Sequence, residues 1–160
     1  MIGRPEAARN GKSVMRRIGV MNSGALAARA LPDAECLQLL RQARFGRIVY
    51  SRHALPAIRP VNHFMDDEMI VVGTGVGVGI PAYQQVVAYE ADCLDQETQQ
   101  GWCVIVTGTA EQVTDPAELA RYHELLDPQL PGGRDKILCI HPEVITGVEY
   151  LAPDDGAIRP

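Results

Sequence analysis

The stretch from Leu55 to Gly79, LPAIRPVNHFMDDEMIVVGTGVGVG, constrains the chain most. It holds two extended runs parted by an acidic corner at Asp66, Asp67 and Glu68, and then glycines at 73, 75, 77 and 79. β-Branched residues in short alternating patterns, bounded by acidic and glycine punctuation, predict two antiparallel strands with a tight link. Period-two segments recur on both sides: GRIVYSR (46–52), VVAYEADCLD (86–95), GWCVIVTGTAEQVT (101–114) with a bend at Gly108, KILCIHP (136–142) and EVITGVEYL (143–151). The last two are expected to turn around His141 and Pro142. Ile48 and Tyr50 should face one way, Arg47 and Val49 the other. Links this short exclude a parallel α/β sheet, which needs a crossover helix between strands. Six or seven strands therefore form an antiparallel barrel or sandwich.

Two helices interrupt the pattern. LPDAECLQLLRQA has Pro32 and Asp33 at its start and an apolar stripe of Cys36, Leu37 and Leu40. Asp115-Pro116-Ala117-Glu118 combines an aspartate cap, a proline at the first helical position and a glutamate, which opens a helix over ELARYHELL that ends before Pro128. Residues 1–30 lack a sustained period and are expected to be a poorly ordered basic leader, 31–151 the folded domain and 152–160 a flexible tail. The leader carries six basic residues and one acid, a balance of +5, against nine basic and nineteen acidic residues in the remainder, or −10. Six scattered charges without aromatics make no case for nucleic acid. No run reaches the roughly 18 apolar residues of a spanning helix, and Asn22 and Ser23 interrupt the segment that follows Arg16 and Arg17, so the expected location is the cytoplasm. Cys36, Cys93, Cys103 and Cys139 show no C-x-x-C pair and no histidine at ligand spacing, so they are expected to be free, buried thiols rather than metal ligands.

GRIVYS, LPAIRPVNH, VVAYEAD.LD, GWCVIVTG and HPEVITG, in that order, resemble the pyridoxamine 5′-phosphate oxidase-like family of FMN-binding split-barrel proteins, in its small actinobacterial branch. The resemblance spans roughly residues 33–151. It implies a six-stranded antiparallel split β-barrel with Greek-key connections and two short helices. It also implies a homodimer with two cofactor sites at the subunit interface, and hydride transfer through a bound flavin on an unknown substrate. Arg59, Pro60, Val61 and Asn62 would line the isoalloxazine, Trp102 would approach from the partner chain, and Val72, Gly73 and Thr74 with the loop through Gly75 and Gly77 would hold the ribityl phosphate. The deazaflavin cofactor F420 is the alternative within this family.

A flavin needs N–H and C=O groups at its pyrimidine edge, an apolar wall and a cradle for its phosphate. Arg59 and Asn62 can supply hydrogen bonds, and Val61 and Trp102 can supply wall. The plain alternatives are core packing for Trp102 and an ion pair with Asp66 or Glu68 for Arg59. The family's arginine before the threonine is Gly73 here, and no lysine or arginine lies between Arg59 and Arg121, where ten acids do. GTGVGVG matches no nucleotide fingerprint; its glycines can form an anion nest or merely a connection. Arg44, Arg47 and Arg52, or Arg134 and Lys136 from the other subunit, are further candidates for the phosphate. No nucleophile elbow exists, and His63 is read either as facing the ring or as a hydrogen-bonded structural residue. The rival reading is a non-catalytic split-barrel binding protein, its site lost or retuned toward another ligand such as heme.

Overall fold

The computed structural model describes residues 26–75, 84–126 and 136–152. They form β1 (Ala27–Leu31), α1 (Asp33–Gln42), β2 (Phe45–Arg52), β3 (Leu55–Asp66), β4 (Met69–Thr74), β5 (Gln85–Leu94), β6 (Gly101–Gln112), α2 (Pro116–Leu125) and β7 (Lys136–Leu151). All pairings are antiparallel. The sheet order is β1-β7-β4-β3-β2-β5-β6, and β6 also pairs with β7. Six strands thus close a ring, and β1 adds an outer edge on β7.

Local chemistry explains the links. β2 and β3 are joined by His53 and Ala54, both at positive φ (51° and 62°), as the right-handed twist of a two-residue hairpin demands. At the acidic corner Asp67 has φ 53° and carries the β3–β4 turn. The Asp115 side chain accepts hydrogen bonds from the N–H groups of Ala117 and Glu118, with Pro116 first in α2, as the sequence indicated. α1 starts after Pro32 with no side-chain cap.

Two expectations need correction. His141 and Pro142 do not turn the chain, because 136–151 is one continuous strand. The ladder between β6 and β7 shifts register there, with Thr107 opposite Val144 and Gly108 opposite Pro142. Glu143 is left over as a bulge, which absorbs a proline that cannot donate to the ladder. A Cβ on Gly108 would run into the His141 carbonyl, which is why the bend falls on that glycine. Within the segment read as leader, Ala27 to Ala30 belong to β1, in register with Leu151 to Val148.

The ring encloses the main core. Ile48, Tyr50, Val61, Val72, Tyr89, Val104, Val106 and Ile140 meet there with Leu31 and with Cys36 and Leu40 of α1. Leu37 is only half-buried, so the α1 stripe is narrower than expected. A second cluster lies under α2, where Tyr122 and Leu126 cover Val71, Val113, Ile137 and Cys139. Arg121 and Tyr122 both bind the Asp66 carboxylate, at 2.6 and 2.8 Å, and tie α2 to the acidic corner. All four cysteines are free, but only Cys36 and Cys139 are buried and Cys93 is exposed, because its place near the end of β5 lies beyond the core. Among the described residues no helix is long and apolar enough to cross a membrane.

Gly46 is a close approach inside the ring, since an added Cβ would overlap the Tyr89 hydroxyl and the Glu90 carbonyl. Gly46→Ala is expected to lower unfolding stability by at least about 2 kcal/mol. Urea denaturation checks this, with a lower midpoint at unchanged slope.

Candidate functional site

β3 is twice as long as β4, and only Asn62–Asp66 pair with Gly73–Met69. From Leu55 to Val61, β3 pairs with β2 alone among the described residues. This is the split in the barrel. The His63 N–H donates to the Arg44 carbonyl at 3.0 Å, so odd-numbered residues of β3 turn their backbone groups toward β2 and even-numbered ones turn theirs away. Pro56 and Pro60 consequently place their missing N–H on the unpaired edge, where no ladder bond is lost. The Ile58 carbonyl on that edge accepts from Nη1 of Arg59 at 2.7 Å.

Arg59 and Pro60 are exposed along this edge, whereas the Val61 side chain is buried in the core. No ion pair joins Arg59 to Asp66, whose carboxylate is taken by α2. Asn62 sits opposite Gly73, and His63 opposite Val72, so the two expected segments are neighbours. Val72 is a core residue; Thr74 is buried and donates through Oγ1 to the Lys136 carbonyl at 3.1 Å. Gly75 is half-buried, and Gly77 and Arg134 lie outside the described residues. A Cβ on Gly73 would meet Leu126 at 3.2 Å, so the end of α2 fills the space a longer side chain would need. Trp102 lies on β6, across the ring from β3, and packs against the main core. One chain therefore does not bring Trp102 to Arg59–Asn62.

Among the described residues, Lys136 is the cation that the strand register places beside β4. It pairs with Thr74 within the same chain and is exposed. Its place came from the β4–β7 pairing, which sequence spacing does not reveal. Arg47 is engaged on β5, at 2.8 Å from Glu90 and 2.7 Å from Asp92.

Beneath the edge lies a buried polar pair. His63 Nε2 is 2.8 Å from the Leu40 carbonyl, and Nδ1 is 2.6 Å from the Tyr89 hydroxyl. A carbonyl only accepts, so Nε2 carries the proton and Nδ1 accepts from Tyr89. The rings meet edge to face at 5.2 Å. Burial lowers the His63 pKa and raises that of Tyr89 well above the usual phenol value. His63 is thus the hydrogen-bonded structural residue of the two readings, and the sequence marked it while giving no sign of its partner.

A family model for pyridoxamine 5′-phosphate oxidase matches residues 32–149. The chain belongs to that family. It is 42% identical over 125 residues to the uncharacterized protein Rv0080 of Mycobacterium tuberculosis, covering 74% of this chain and 82% of that one. Among solved structures, the FAD binding protein from Mycobacterium smegmatis is 29% identical with a TM-score of 0.59, covering 78% of this chain and 99% of that one. A conserved protein of unknown function from Corynebacterium diphtheriae is 25% identical with a TM-score of 0.65, over 78% and 98%.

The residues suit the ring of a flavin better than its phosphate. The β3 edge offers the Ile58 N–H and the Pro56 and Pro60 carbonyls beside apolar strand, while β4 offers Gly73 and an already engaged Thr74, with Lys136 as the adjoining charge.

The His63 pair gives a pH dependence whose sign follows from linkage. The unfolded chain binds a proton near pH 6.5 that the folded chain refuses, so His63 stabilises the fold fully above that value and progressively less as pH falls toward 5. The expected slope approaches about 1.4 kcal/mol per pH unit. Thermal unfolding of wild type and His63→Gln between pH 7.5 and 5 checks it, because the variant should lose that slope. Tyr89→Phe should cost about 1–3 kcal/mol by leaving Nδ1 without a donor.

Proposed function

We propose that this member of the family is a flavin-binding oxidoreductase, holding FMN or FAD against the unpaired edge of β3 and acting as a homodimer on an unidentified small substrate. The observation that carries the reading is that edge, running from Leu55 to Val61 beside the Asn62 and Gly73 pair. The likeness to the FAD binding protein of M. smegmatis supports the ligand class. A bound flavin supplies a hydride acceptor and donor at its ring. The chain's own part is to hydrogen-bond and orient the ring through the Ile58 N–H, the Pro60 carbonyl and Arg59, and to offer Lys136 to the phosphate. His63 moves no proton in this scheme, since both ring nitrogens are engaged.

The outer face of the barrel supports the dimer. Ile58, Val49, Ala88, Thr107 and Val144 stand in one row across five strands. Ile58, Val144 and neighbouring Val86 are 56%, 56% and 65% exposed, and Ile105 in the next row adds to the patch. A contiguous apolar face of this kind favours a self-complementary twofold contact. A second copy would also bring a Trp102 toward the β3 edge.

Two observations favour the non-catalytic reading with a retuned ligand: Leu126 occupies the space over Gly73, and Lys136 is the single cation beside β4 in the described register. Titration of the purified protein with FMN, riboflavin and F420 separates the two. The flavoprotein reading expects saturable FMN binding at about micromolar Kd, with Lys136→Ala weakening FMN about tenfold and riboflavin not at all. Equal affinity for FMN and riboflavin would remove the phosphate from the reading, and absence of binding by every flavin would overturn it. Sedimentation should give a dimer for the wild type and a monomer for Val86→Asp combined with Val144→Asp.

A further inference from the structure

The ends of both helices meet beside β3. Arg41 in the last turn of α1, Ala43 and Arg44 in its link to β2, His63 and Phe64 of β3, and Leu125 at the end of α2 line a pocket of about 300 Å³. It lies past the split, where β3 is paired to β4 and Phe64 stands opposite Val71. The pocket is therefore a different place from the Leu55–Val61 edge, and the flavin reading uses neither Arg41 nor Phe64 nor Leu125. The His63 ring has both nitrogens engaged within the core, so it adds no charge here.

The charged part of the lining is cationic. Nη2 of Arg41 donates to the Asp67 carbonyl at 3.0 Å, which holds the guanidinium in place on a neutral acceptor. Among the described residues Arg41 makes no ion pair, and one bond at Nη2 leaves donors on the rest of its fork. Arg44 brings a second positive charge. The remaining lining is apolar. Phe64 is fixed edge to face against Tyr122, with ring centroids 5.5 Å apart, while Leu125 is 50% exposed. A large apolar side chain left in solvent beside two guanidinium groups suits a ligand with a flat apolar body and an anionic end. Helix polarity limits how much charge that end can carry. α1 ends at Gln42 and α2 at Leu125, so the partly negative carbonyl ends of both helices adjoin the pocket and oppose a dianion more than a monoanion.

We propose that this pocket binds a small aromatic carboxylate, Arg41 and Arg44 taking the carboxylate and Phe64 and Leu125 the ring. A guanidinium fork matches the two oxygens of a carboxylate, and the volume, at the low end for ligand sites, admits a single ring. The site is independent of the flavin reading and stands or falls without it.

Titration calorimetry of the full chain with benzoate tests it, beside benzamide as the neutral isostere, acetate as the anion without a ring and phenyl phosphate as the dianion. Benzoate should saturate with a Kd of about 1 mM or lower, and each of the other three should bind about tenfold more weakly. Arg41→Gln should weaken benzoate about tenfold, and Arg41→Lys should weaken it about threefold, since an ammonium keeps the charge and loses the fork. Arg41 is exposed, so the thermal midpoint of both variants should stay close to that of wild type. A lowered midpoint with unchanged benzoate affinity would make Arg41 a purely structural tie to the β3–β4 turn and overturn the assignment. Benzamide or acetate binding as tightly as benzoate, phenyl phosphate binding more tightly, or no saturable binding of benzoate would overturn it as well.

Discussion

The long last strand holds the architecture together. β7 pairs with β4 through Lys136–Ile140 and with β6 through Leu138–Tyr150, and it adds β1 beyond Gly147. Residues Leu138–Ile140 are bonded on both edges at once, which is the step that converts an open meander into a ring. Sixteen residues cannot stay flat across so many partners. The bulge at Glu143, with Gly108 opposite and Pro142 inside it, bends the strand so that its first half serves β4 and its second half serves β6 and β1. Beyond Ile140 the outer edge of β7 is taken up again only by β1, from Gly147 to Leu151.

Closing the ring makes two environments from one alternation. Inward positions bury Ile48, Val61, Val72, Tyr89 and Val106, with α1 supplying Cys36 and Leu40. Outward positions split again: α2 covers Val71, Ile137 and Cys139, while Ile58, Val86 and Val144 stay in solvent. Even the core is not wholly apolar. His63, Tyr89 and the Leu40 carbonyl tie β3, β5 and α1 together through two satisfied bonds, and Gly46 leaves room for the Tyr89 hydroxyl. A buried network of this kind fixes the relative placement of three elements that hydrophobic contact alone would let slide.

Much of the fold was legible because it rests on local chemistry. Alternation identified β2 to β6, glycine marked the bend at Gly108, and Asp115 with Pro116 announced α2. The two departures have a common cause. Pro142 signals a turn in isolation, and only a partner strand able to shift register lets it continue. Ala27–Leu31 is small and weakly patterned, with four of five residues exposed, so nothing but the free edge of β7 makes it a strand. At the site, the neighbouring of Arg59–Asn62 with Val72–Thr74 follows from one tight hairpin and was readable. That Val61 and Val72 point into the core while Trp102 stands across the ring depends on closure, which no local pattern encodes.

The same distinction accounts for where charge can reach the site. Between Arg59 and Arg121 the sequence is devoid of basic residues, so a linear view leaves β4 without a counter-charge. Closure supplies Lys136 next to Thr74 from sixty-two residues away, and it does so within one subunit. It also withdraws others: Arg47 is committed to Glu90 and Asp92, and Arg121 to Asp66. A single lysine on a strand end is a weaker anion anchor than a bidentate arginine, because an ammonium offers a point charge and not a fixed fork. A ligand held here would accordingly derive more of its affinity from its ring, against the strand edge, than from its phosphate. That ordering is what a site with an open strand edge and few cations imposes.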